Sequence, residues 1–246
     1  MIRIKTNGEI EGLRKSCNLL SKMSVMLLNH AIAGRKTSDL SDLAEDFIEA
    51  SGATSAFKET GFPSSICTSV NNEVIHGIPG DYVLQEGDIL SIDMGLALDG
   101  FYSDMAVTCG IGLISGTAQE LINVTKEALY KGIKQFRENR RLSDISHAIS
   151  SFVESNGFSV VRQFTGHGIG TELHEEQQIL NYGPPGTGPI LNNGMVFAIE
   201  PMVNAGSWEV KIDDNGWTAR TADGSPSAHF EHTVALINGE PEILTA

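Results

Sequence analysis

The stretch from residue 89 to residue 108 constrains the fold of this chain more than any other. It reads ILSIDMGLALDGFYSDMAVT, with largely apolar runs on both sides of Asp99-Gly100. Asp-Gly between two such runs is the strongest short-range signal for a β-hairpin. A two-residue loop pairs Asp93 with Ala106, and because residues two apart on a strand share a face, Asp104 lies on the face of Asp93. Two carboxylates this close repel each other unless a positive charge lies between them.

The composition excludes several classes of protein. The chain has 246 residues, of which 41% are hydrophobic and 20% charged, which suits one globular domain or two small ones. No apolar run approaches the ~18 residues that cross a bilayer, and the N-terminus lacks the apolar segment of a secretion signal. We therefore expect no membrane partner. The net charge of −14 repels phosphates and argues against a nucleic-acid partner.

The cysteines indicate the compartment. Cys17, Cys67 and Cys109 are odd in number and far apart, so they fit neither a disulfide framework nor a zinc knuckle. A cytoplasmic location, where thiols stay reduced, is the simplest expectation. No exposed apolar stripe is evident in the sequence, and we expect a monomer.

Amphipathic patterns predict two pairs of helices. The first pair covers about residues 7–32 and 38–52. The second covers about residues 117–136 and 143–157, and Thr117-Ala-Gln-Glu120 has the form of a capping box. Each pair is followed by short β-like runs, so the chain is expected to be an α+β protein.

The second half of the chain repeats features of the first half in the same order. The matches are 38–41 with 143–146, Phe47 with Phe152, Glu49 with Glu154, Gly52 with Gly157, His76-Gly-Ile with His167-Gly-Ile, Ile92-Asp93 with Ile199-Glu200, and Asp104 with Glu231. They predict one domain over 1–246 with pseudo-repeats of about 4–112 and 115–244, whose antiparallel strands pair into one larger sheet with helices on its outer face. The alternative is convergence on common capping and strand chemistry.

A pseudo-twofold axis would bring the matched polar residues together at the centre of the sheet. They are His76, Asp93, Asp104, His167, Glu200 and Glu231. Oxygen-rich ligands with an imidazole suit Mn²⁺, Fe²⁺, Co²⁺ or Zn²⁺. Two such ions ~3.5–4 Å apart can activate water, so that a bridging hydroxide is the nucleophile. One carboxylate would then carry the proton, and neutral histidines would bind the substrate's carbonyl or amide.

These residues and their surroundings resemble the type I methionine aminopeptidases, which have the pita-bread fold of creatinase and the aminopeptidases. The resemblance extends from about Ile4 to Leu244 and includes the family's spacing. The matching segments are 67–71, 74–79, 92–93, 99–104, 166–170, 173–176, 199–204, 214–217 and 231–233.

The resemblance implies a role for each residue of the central group. Asp93 would bind one metal ion, His167 and Glu200 the other, and Asp104 and Glu231 both. The catalytic residues would be His76 and His174, which contact the peptide, and Glu200, the proton carrier. The methionine side chain would occupy a pocket formed by Phe62, Cys67, Leu173 and Trp217, although ordinary core positions are the alternative for these residues. Glu59 and Thr60 depart from the pattern, since many relatives carry Tyr and His there.

The implied reaction is removal of the N-terminal methionine from new polypeptides when the next residue is small. The implied cofactors are two divalent ions of Co, Mn, Fe or Zn, and contact with the ribosome is left open. One alternative is a proline-directed peptidase of the same fold, aminopeptidase P or prolidase, and another is a metal-free scaffold that binds partner proteins. A two-metal phosphohydrolase is disfavoured because no basic residues lie beside the carboxylates in the sequence to hold phosphate.

Overall fold

The computed structural model describes residues 2–246. Its helices are α1 (Asn7–His30), α2 (Thr37–Ala50), α3 (Ala56–Glu59), α4 (Gly116–Ile133) and α5 (Leu142–Ser155). Its strands are β1 (Thr54–Ser55), β2 (Ile66–Val70), β3 (Glu73–Ile75), β4 (Ile89–Leu98), β5 (Phe101–Gly110), β6 (Ser159–Val160), β7 (Gly166–Gly168), β8 (Glu175–Ile179), β9 (Val196–Ile199), β10 (Met202–Asn204), β11 (Val210–Ile212), β12 (Ala219–Thr221), β13 (Ser227–His229), β14 (His232–Ile237) and β15 (Glu240–Ile243). None of the helices within residues 2–246 has the length and apolar character that crossing a membrane requires.

The hairpin of β4 and β5 has the predicted register. Leu98 pairs with Phe101 across the loop, and Asp93 pairs with Ala106. Asp99 and its neighbour Gly100 have φ angles of 52° and 79°, the left-handed conformation that a type I′ hairpin loop requires at both central positions. Strand β4 is buried over almost its whole length, because β2 and β5 flank it and helices cover one face.

The helix pairs α1–α2 and α4–α5 cover two separate hydrophobic clusters. Leu20, Leu27 and Leu40 belong to the first cluster, together with buried residues of β2 and β4. The second cluster combines α4 and α5 with residues of β9 and β14. Each half of the chain therefore buries its own sheet under its own helix pair, as an α+β arrangement of this kind requires.

Helices α2 and α5 begin in the same way. Both have 14 residues and a basic residue at the N-cap. The Asp39 carboxylate accepts from the Lys36 backbone N–H at 3.2 Å, and the Asp144 carboxylate accepts from the Arg141 backbone N–H at 3.0 Å. The matched Ser-Asp-x-Ser segments of the sequence thus form matched helix starts, while the bounds of the pseudo-repeats remain a prediction.

The predicted capping box at Thr117 is wrong. Ser115 is the N-cap of α4, because it is extended and its hydroxyl accepts from the backbone N–H of Ala118. Thr117 lies within the helix, one residue after its start. Serine and threonine are both favoured N-cap residues, and the helix begins after the extended Ser115, which the sequence analysis did not consider.

The prediction of one larger sheet is also wrong, because the strands form four separate antiparallel sheets. Strand β5 of the first half meets the second half through single backbone bonds and threonine hydroxyls instead of a continuous ladder. The Thr233 hydroxyl accepts from the Asp104 backbone N–H at 3.2 Å and donates to its carbonyl at 2.8 Å. The Thr108 hydroxyl forms the same pair of bonds with His229, at 2.9 and 2.7 Å. Two threonine hydroxyls and single backbone bonds therefore join the two halves along this seam, where a continuous strand ladder is absent.

Candidate metal centre and substrate cavity

Four carboxylates from both halves of the chain meet at this seam. They are Asp93 on β4, Asp104 on β5, Glu200 after β9 and Glu231 before β14, and we call them the acidic cluster. One oxygen each of Asp93, Asp104 and Glu231 lies within 4.8 Å of the others. The Glu231 backbone N–H donates to the Ala106 carbonyl at 2.9 Å, which fixes Glu231 against the strand that pairs with Asp93.

His167 joins this cluster from β7. Its Nε2 atom lies 3.5 Å from Asp104 Oδ2 and 3.5 Å from Glu200 Oε1. A Cβ atom at Gly166 would lie only 2.4 Å from the Ala198 carbonyl oxygen, so the glycine before His167 allows β7 to lie close to β9. One atom each of His167, Glu200 and Glu231 also lies within 4.8 Å of the others.

The hydrogen bonding of His167 fixes which nitrogen faces the carboxylates as an acceptor. Its Nδ1 atom lies 3.0 Å from the Gly168 carbonyl, which can only accept, so Nδ1 carries the hydrogen. Burial lowers the pKa of His167 to about 4, so the ring is neutral at pH 7 and Nε2 presents a lone pair. A lone pair that faces two carboxylate oxygens at 3.5 Å is repulsive unless a cation lies between them.

The acidic cluster fits divalent cations by its charge as well. Asp93 Oδ1, Asp104 Oδ1 and Glu231 Oε1 are buried with no hydrogen-bond partner among the described residues, which is costly for a carboxylate. Burial raises the pKa of all four acids, and neighbouring carboxylates raise it further for Asp93, Glu200 and Glu231. Cations would supply the missing partners and allow the acids to ionise, so the residues present fit the metal ions that the sequence implied.

A cavity with aromatic walls adjoins the metal-binding residues. Cys67 on β2 pairs directly with Asp93 on β4, which places the apolar part of the cavity beside the acidic cluster. Phe62 packs edge-on against Trp217, with ring centroids 5.3 Å apart. The cavity is lined by Phe57, Thr60, Phe62, Cys67, His76, His174 and Trp217 together with the acidic cluster and His167.

Leu173 is the one predicted pocket residue that does not line this cavity. It is buried in the same apolar cluster as Phe62 and Cys67, so it supports the wall from behind. The sequence left an ordinary core position open for this residue, and the structure places it there. Phe57 and Thr60 also line the cavity. The sequence analysis did not name Phe57 as a pocket residue, and it noted Thr60 only as a departure from the family pattern.

Glu59 points away from the cavity that its neighbour Thr60 lines. Its carboxylate accepts from the Thr54 hydroxyl at 2.9 Å and from the Tyr102 hydroxyl. The Thr60 hydroxyl donates to the Phe57 carbonyl at 2.7 Å, so it is already satisfied by the backbone. The departure from the family pattern at residue 59 therefore lies outside the cavity lining, whereas the departure at residue 60 lies within it.

His76 and His174 reach the cavity from loops. His76 follows β3 with a φ of 58°, and its carbonyl accepts from the Thr218 hydroxyl at 3.1 Å. A non-glycine residue in this conformation is strained, and such strain is concentrated at functional sites. The His174 ring packs edge-on against His167, with centroids 4.3 Å apart, and a ring nitrogen lies within 4.8 Å of ligand atoms of Asp104 and His167. Burial lowers the pKa of both His76 and His174 to about 4.

The sequence analysis missed His229. This histidine is 1% exposed, and its Nε2 atom lies 3.8 Å from Glu200 Oε2. The available clue was its position two residues before Glu231, because alternate residues of an extended segment point the same way.

Known proteins match this sequence and this fold. Residues 11–238 match the sequence model of metallopeptidase family M24. The structure of prolidase from Pyrococcus furiosus superposes with a TM-score of 0.80 at 20% identity, over 99% of this chain and 65% of that one, which shows a shared fold. The fold and the buried carboxylate–imidazole cluster thus define a pita-bread metallopeptidase, which confirms the predicted fold class.

Two closer relatives identify the group within that class. The methionine aminopeptidase of Clostridium perfringens is 52% identical over 246 residues, which cover 100% of this chain and 99% of that protein. The crystal structure of methionine aminopeptidase from Rickettsia prowazekii superposes with a TM-score of 0.98 at 41% identity and covers 100% of both chains. The chain belongs to the methionine aminopeptidases of metallopeptidase family M24, as its sequence resemblance indicated.

Proposed function

We propose that this chain hydrolyses the peptide bond after the N-terminal methionine of new polypeptides whose second residue is small, with two divalent metal ions as cofactors. The observation that carries the proposal is the direct contact between an aromatic cavity and the acidic cluster. That arrangement suits a substrate with one apolar side chain next to the bond that is cut.

Two overlapping groups of ligands support a pair of metal ions. Asp93, Asp104 and Glu231 form one group, and His167, Glu200 and Glu231 form the other, so Glu231 belongs to both. Asp104 Oδ2 also lies 3.5 Å from His167 Nε2, which places Asp104 between the groups. We propose that Asp93 holds one ion, that His167 and Glu200 hold the other, and that Asp104 and Glu231 hold both. Ions such as Co, Mn, Fe or Zn would lower the pKa of a water molecule and polarise the scissile carbonyl.

The residues around the cavity suit the methionine side chain and the amide next to it. Phe62, Cys67 and Trp217 offer ring edges and a sulfur atom, which pack well against a flexible thioether. His76 and His174 are neutral at pH 7 because burial lowers their pKa values to about 4, so each ring offers one N–H. We propose that these N–H groups donate to the peptide on either side of the scissile bond, which holds it in place over the acidic cluster.

Glu200 is the proposed proton carrier. Burial and the charges of Asp104 and Asp93 raise the pKa of its carboxyl group well above its usual range, so it takes up a proton more readily than an exposed carboxyl group does. The group lines the cavity, and its backbone carbonyl accepts from Asn181 Nδ2 at 3.0 Å, which anchors the residue. A carboxyl group with these properties can take a proton at one oxygen and deliver it to the leaving amine.

Turnover of Met-Ala-Ser and of an Ala-Pro peptide tests the proposed specificity. We expect release of methionine from the first peptide and little cleavage of the second. The opposite preference would favour a proline-directed peptidase. A peptide library cleaved with Mn²⁺, Fe²⁺, Co²⁺ and Zn²⁺ in turn would define both the side chains accepted and the most effective ion.

Metal titration tests the cofactor. Protein stripped with a chelator should be inactive and should regain activity as a divalent ion is added, with up to two ions bound per chain by elemental analysis. Absence of divalent-ion binding would favour a non-catalytic scaffold instead.

The remaining expectations concern the setting of the reaction. Because the proposed substrate is a newly made polypeptide, we place the reaction in the cytoplasm, where Cys17, Cys67 and Cys109 remain free thiols. We propose a monomer, which size-exclusion chromatography with light scattering tests. Cosedimentation with ribosomes at several salt concentrations would decide whether the acidic surface allows contact with the ribosome.

A further inference from the structure

His229 is buried behind the acidic cluster with no established role. It is the last residue of β13 and is 1% exposed. Neither ring nitrogen has a hydrogen-bond partner among the described residues. Its backbone is held on both sides by the Thr108 hydroxyl, at 2.9 Å from the N–H and 2.7 Å from the carbonyl oxygen. A buried imidazole with both nitrogens unpartnered is costly, so a partner near the ring is expected.

The nearest charged group to this ring is Glu200. Its carboxylate lies between two imidazoles, with Oε1 3.5 Å from His167 Nε2 and Oε2 3.8 Å from His229 Nε2. The two rings differ in what they can offer. His167 has its hydrogen on Nδ1, bonded to the Gly168 carbonyl, so its Nε2 can only accept. His229 has no carbonyl partner at Nδ1, so its hydrogen is free to sit on Nε2 and face Glu200.

We propose that His229 is a positioning residue, which donates from Nε2 to Glu200 Oε2 and thereby leaves Oε1 to face the metal site beside His167. The inference rests on the proposed role of Glu200 as a metal ligand and proton carrier. A relative shift of about 0.6 Å brings the two atoms from 3.8 Å into the outer part of the hydrogen-bond range. His229 does not line the cavity, so it acts on the reaction through Glu200 and makes no contact with the peptide.

The matched variants His229→Leu and His229→Gln test this role. Leucine fills the space without a donor, whereas the glutamine amide keeps one N–H for Glu200. Loss of a partner that orients a metal ligand typically weakens metal binding about 10–100-fold. Calorimetric titration of the chelator-stripped proteins with Mn²⁺ should show that loss in His229→Leu and near wild-type affinity in His229→Gln. In steady-state assays on Met-Ala-Ser, His229→Leu should lower kcat with little change in KM.

Two results would overturn the proposal. One is wild-type Mn²⁺ affinity in the leucine variant, and the other is an equal loss of affinity in both variants, which would indicate packing alone. If the leucine variant does not fold, ¹⁵N NMR of the Zn²⁺-loaded wild type decides: the proposal requires the hydrogen on Nε2, and a hydrogen on Nδ1 contradicts it. Failure of the wild type itself to bind Mn²⁺ or to cleave Met-Ala-Ser would reject the proposed function, which is a separate outcome.

Discussion

Substitution of Asp104 by Asn should change activity and stability in opposite directions. The amide has the shape of the carboxylate but lacks its charge, so it is a poor ligand for a divalent ion. Asp104 lies between the two proposed ligand groups, and its loss should weaken both sites at once. Because a bound ion supplies several kcal/mol of transition-state stabilisation, we expect kcat/KM on Met-Ala-Ser to fall at least about a hundredfold.

The same substitution should stabilise the metal-free protein. Ligand oxygens of Asp93, Asp104 and Glu231 lie within 4.8 Å of one another, and two unit charges at that distance repel by about 3.5 kcal/mol at an effective dielectric constant of about 20. The acids relieve part of this repulsion by keeping protons, so the net gain for Asp104→Asn is about 1–3 kcal/mol. For a chain of this size that gain raises Tm by roughly 2–12 °C in the presence of a chelator.

Asp88→Asn is the matched control. Asp88 is also buried, but its carboxylate accepts from the Tyr82 hydroxyl, Asn71 Nδ2 and the Gln85 backbone N–H at 2.8 to 2.9 Å. An amide there turns one accepting oxygen into a donor, so we expect a loss of about 1–3 kcal/mol with activity retained. Thermal unfolding with a chelator and turnover at saturating Mn²⁺ measure both effects.

The reasoning about Asp104 can fail in two ways. Near-normal turnover of Asp104→Asn at saturating metal would show that Asp104 does not hold both ions. A fall in the Tm of the metal-free variant, similar to that of Asp88→Asn, would show that Asp93, Asp104 and Glu231 do not repel one another as their separations imply.

Three further predictions concern the same site. His174→Ala should lower the cleavage rate with the metal content unchanged, as measured by elemental analysis. A loss of metal would instead make His174 a metal ligand, a role that its ring nitrogen could fill because it lies within 4.8 Å of ligand atoms of Asp104 and His167. Trp217→Ala should raise KM for methionine peptides more than it lowers kcat, because the ring forms one wall of the cavity against Phe62; an equal effect on an N-terminal alanine peptide would contradict this. Burial raises the pKa of the acidic cluster, to about 8 for Asp104, so above about pH 6.5, where the buried histidines are neutral in both states, the folded metal-free protein binds more protons than the unfolded chain. Its stability should therefore fall as pH rises from about 6.5 to 8 while Mn²⁺ affinity rises; chelator-treated unfolding curves and calorimetry at several pH values measure both trends, and a flat profile would refute them.

The sequence predicted the parts of the site that local rules determine. The register of β4 and β5 follows from one Asp-Gly loop, and that register alone places Asp93 and Asp104 on one face. The helix starts predicted at about residues 38 and 143 lie at residues 37 and 142, where Asp39 and Asp144 accept from the backbone N–H of the N-cap residue three positions earlier. These features depend on near neighbours in the sequence, so local patterns predict them.

The sequence could not predict how the halves join. Thr108 and Thr233 bind the backbones of residues more than a hundred positions away, and a threonine in a strand gives no sign of such a partner. The same is true of His229, whose importance depends on the distance to Glu200 across the seam. The resemblance placed Leu173 in the pocket lining. Whether its side chain reaches the cavity or stays in the core behind it depends on how the loop before β8 packs against Phe62 and Cys67.

The different roles proposed for the two His-Gly-Ile segments follow from backbone conformation. His167 lies within β7, so its ring is held over the acidic cluster by the strand. His76 follows β3 with a φ of 58°, and a Cβ atom at Gly77 would lie 2.3 Å from the Thr68 carbonyl oxygen, so the chain turns tightly against β2 at this point. The turn directs the His76 ring towards Phe62 and Phe164, with centroids 6.4 and 5.9 Å away, and no group of candidate metal ligands among residues 2–246 includes it. One duplicated motif can therefore supply a metal ligand in one half and a hydrogen-bond donor to the peptide in the other. The difference is the left-handed backbone of His76, which directs its ring away from the path that the His167 ring follows in β7.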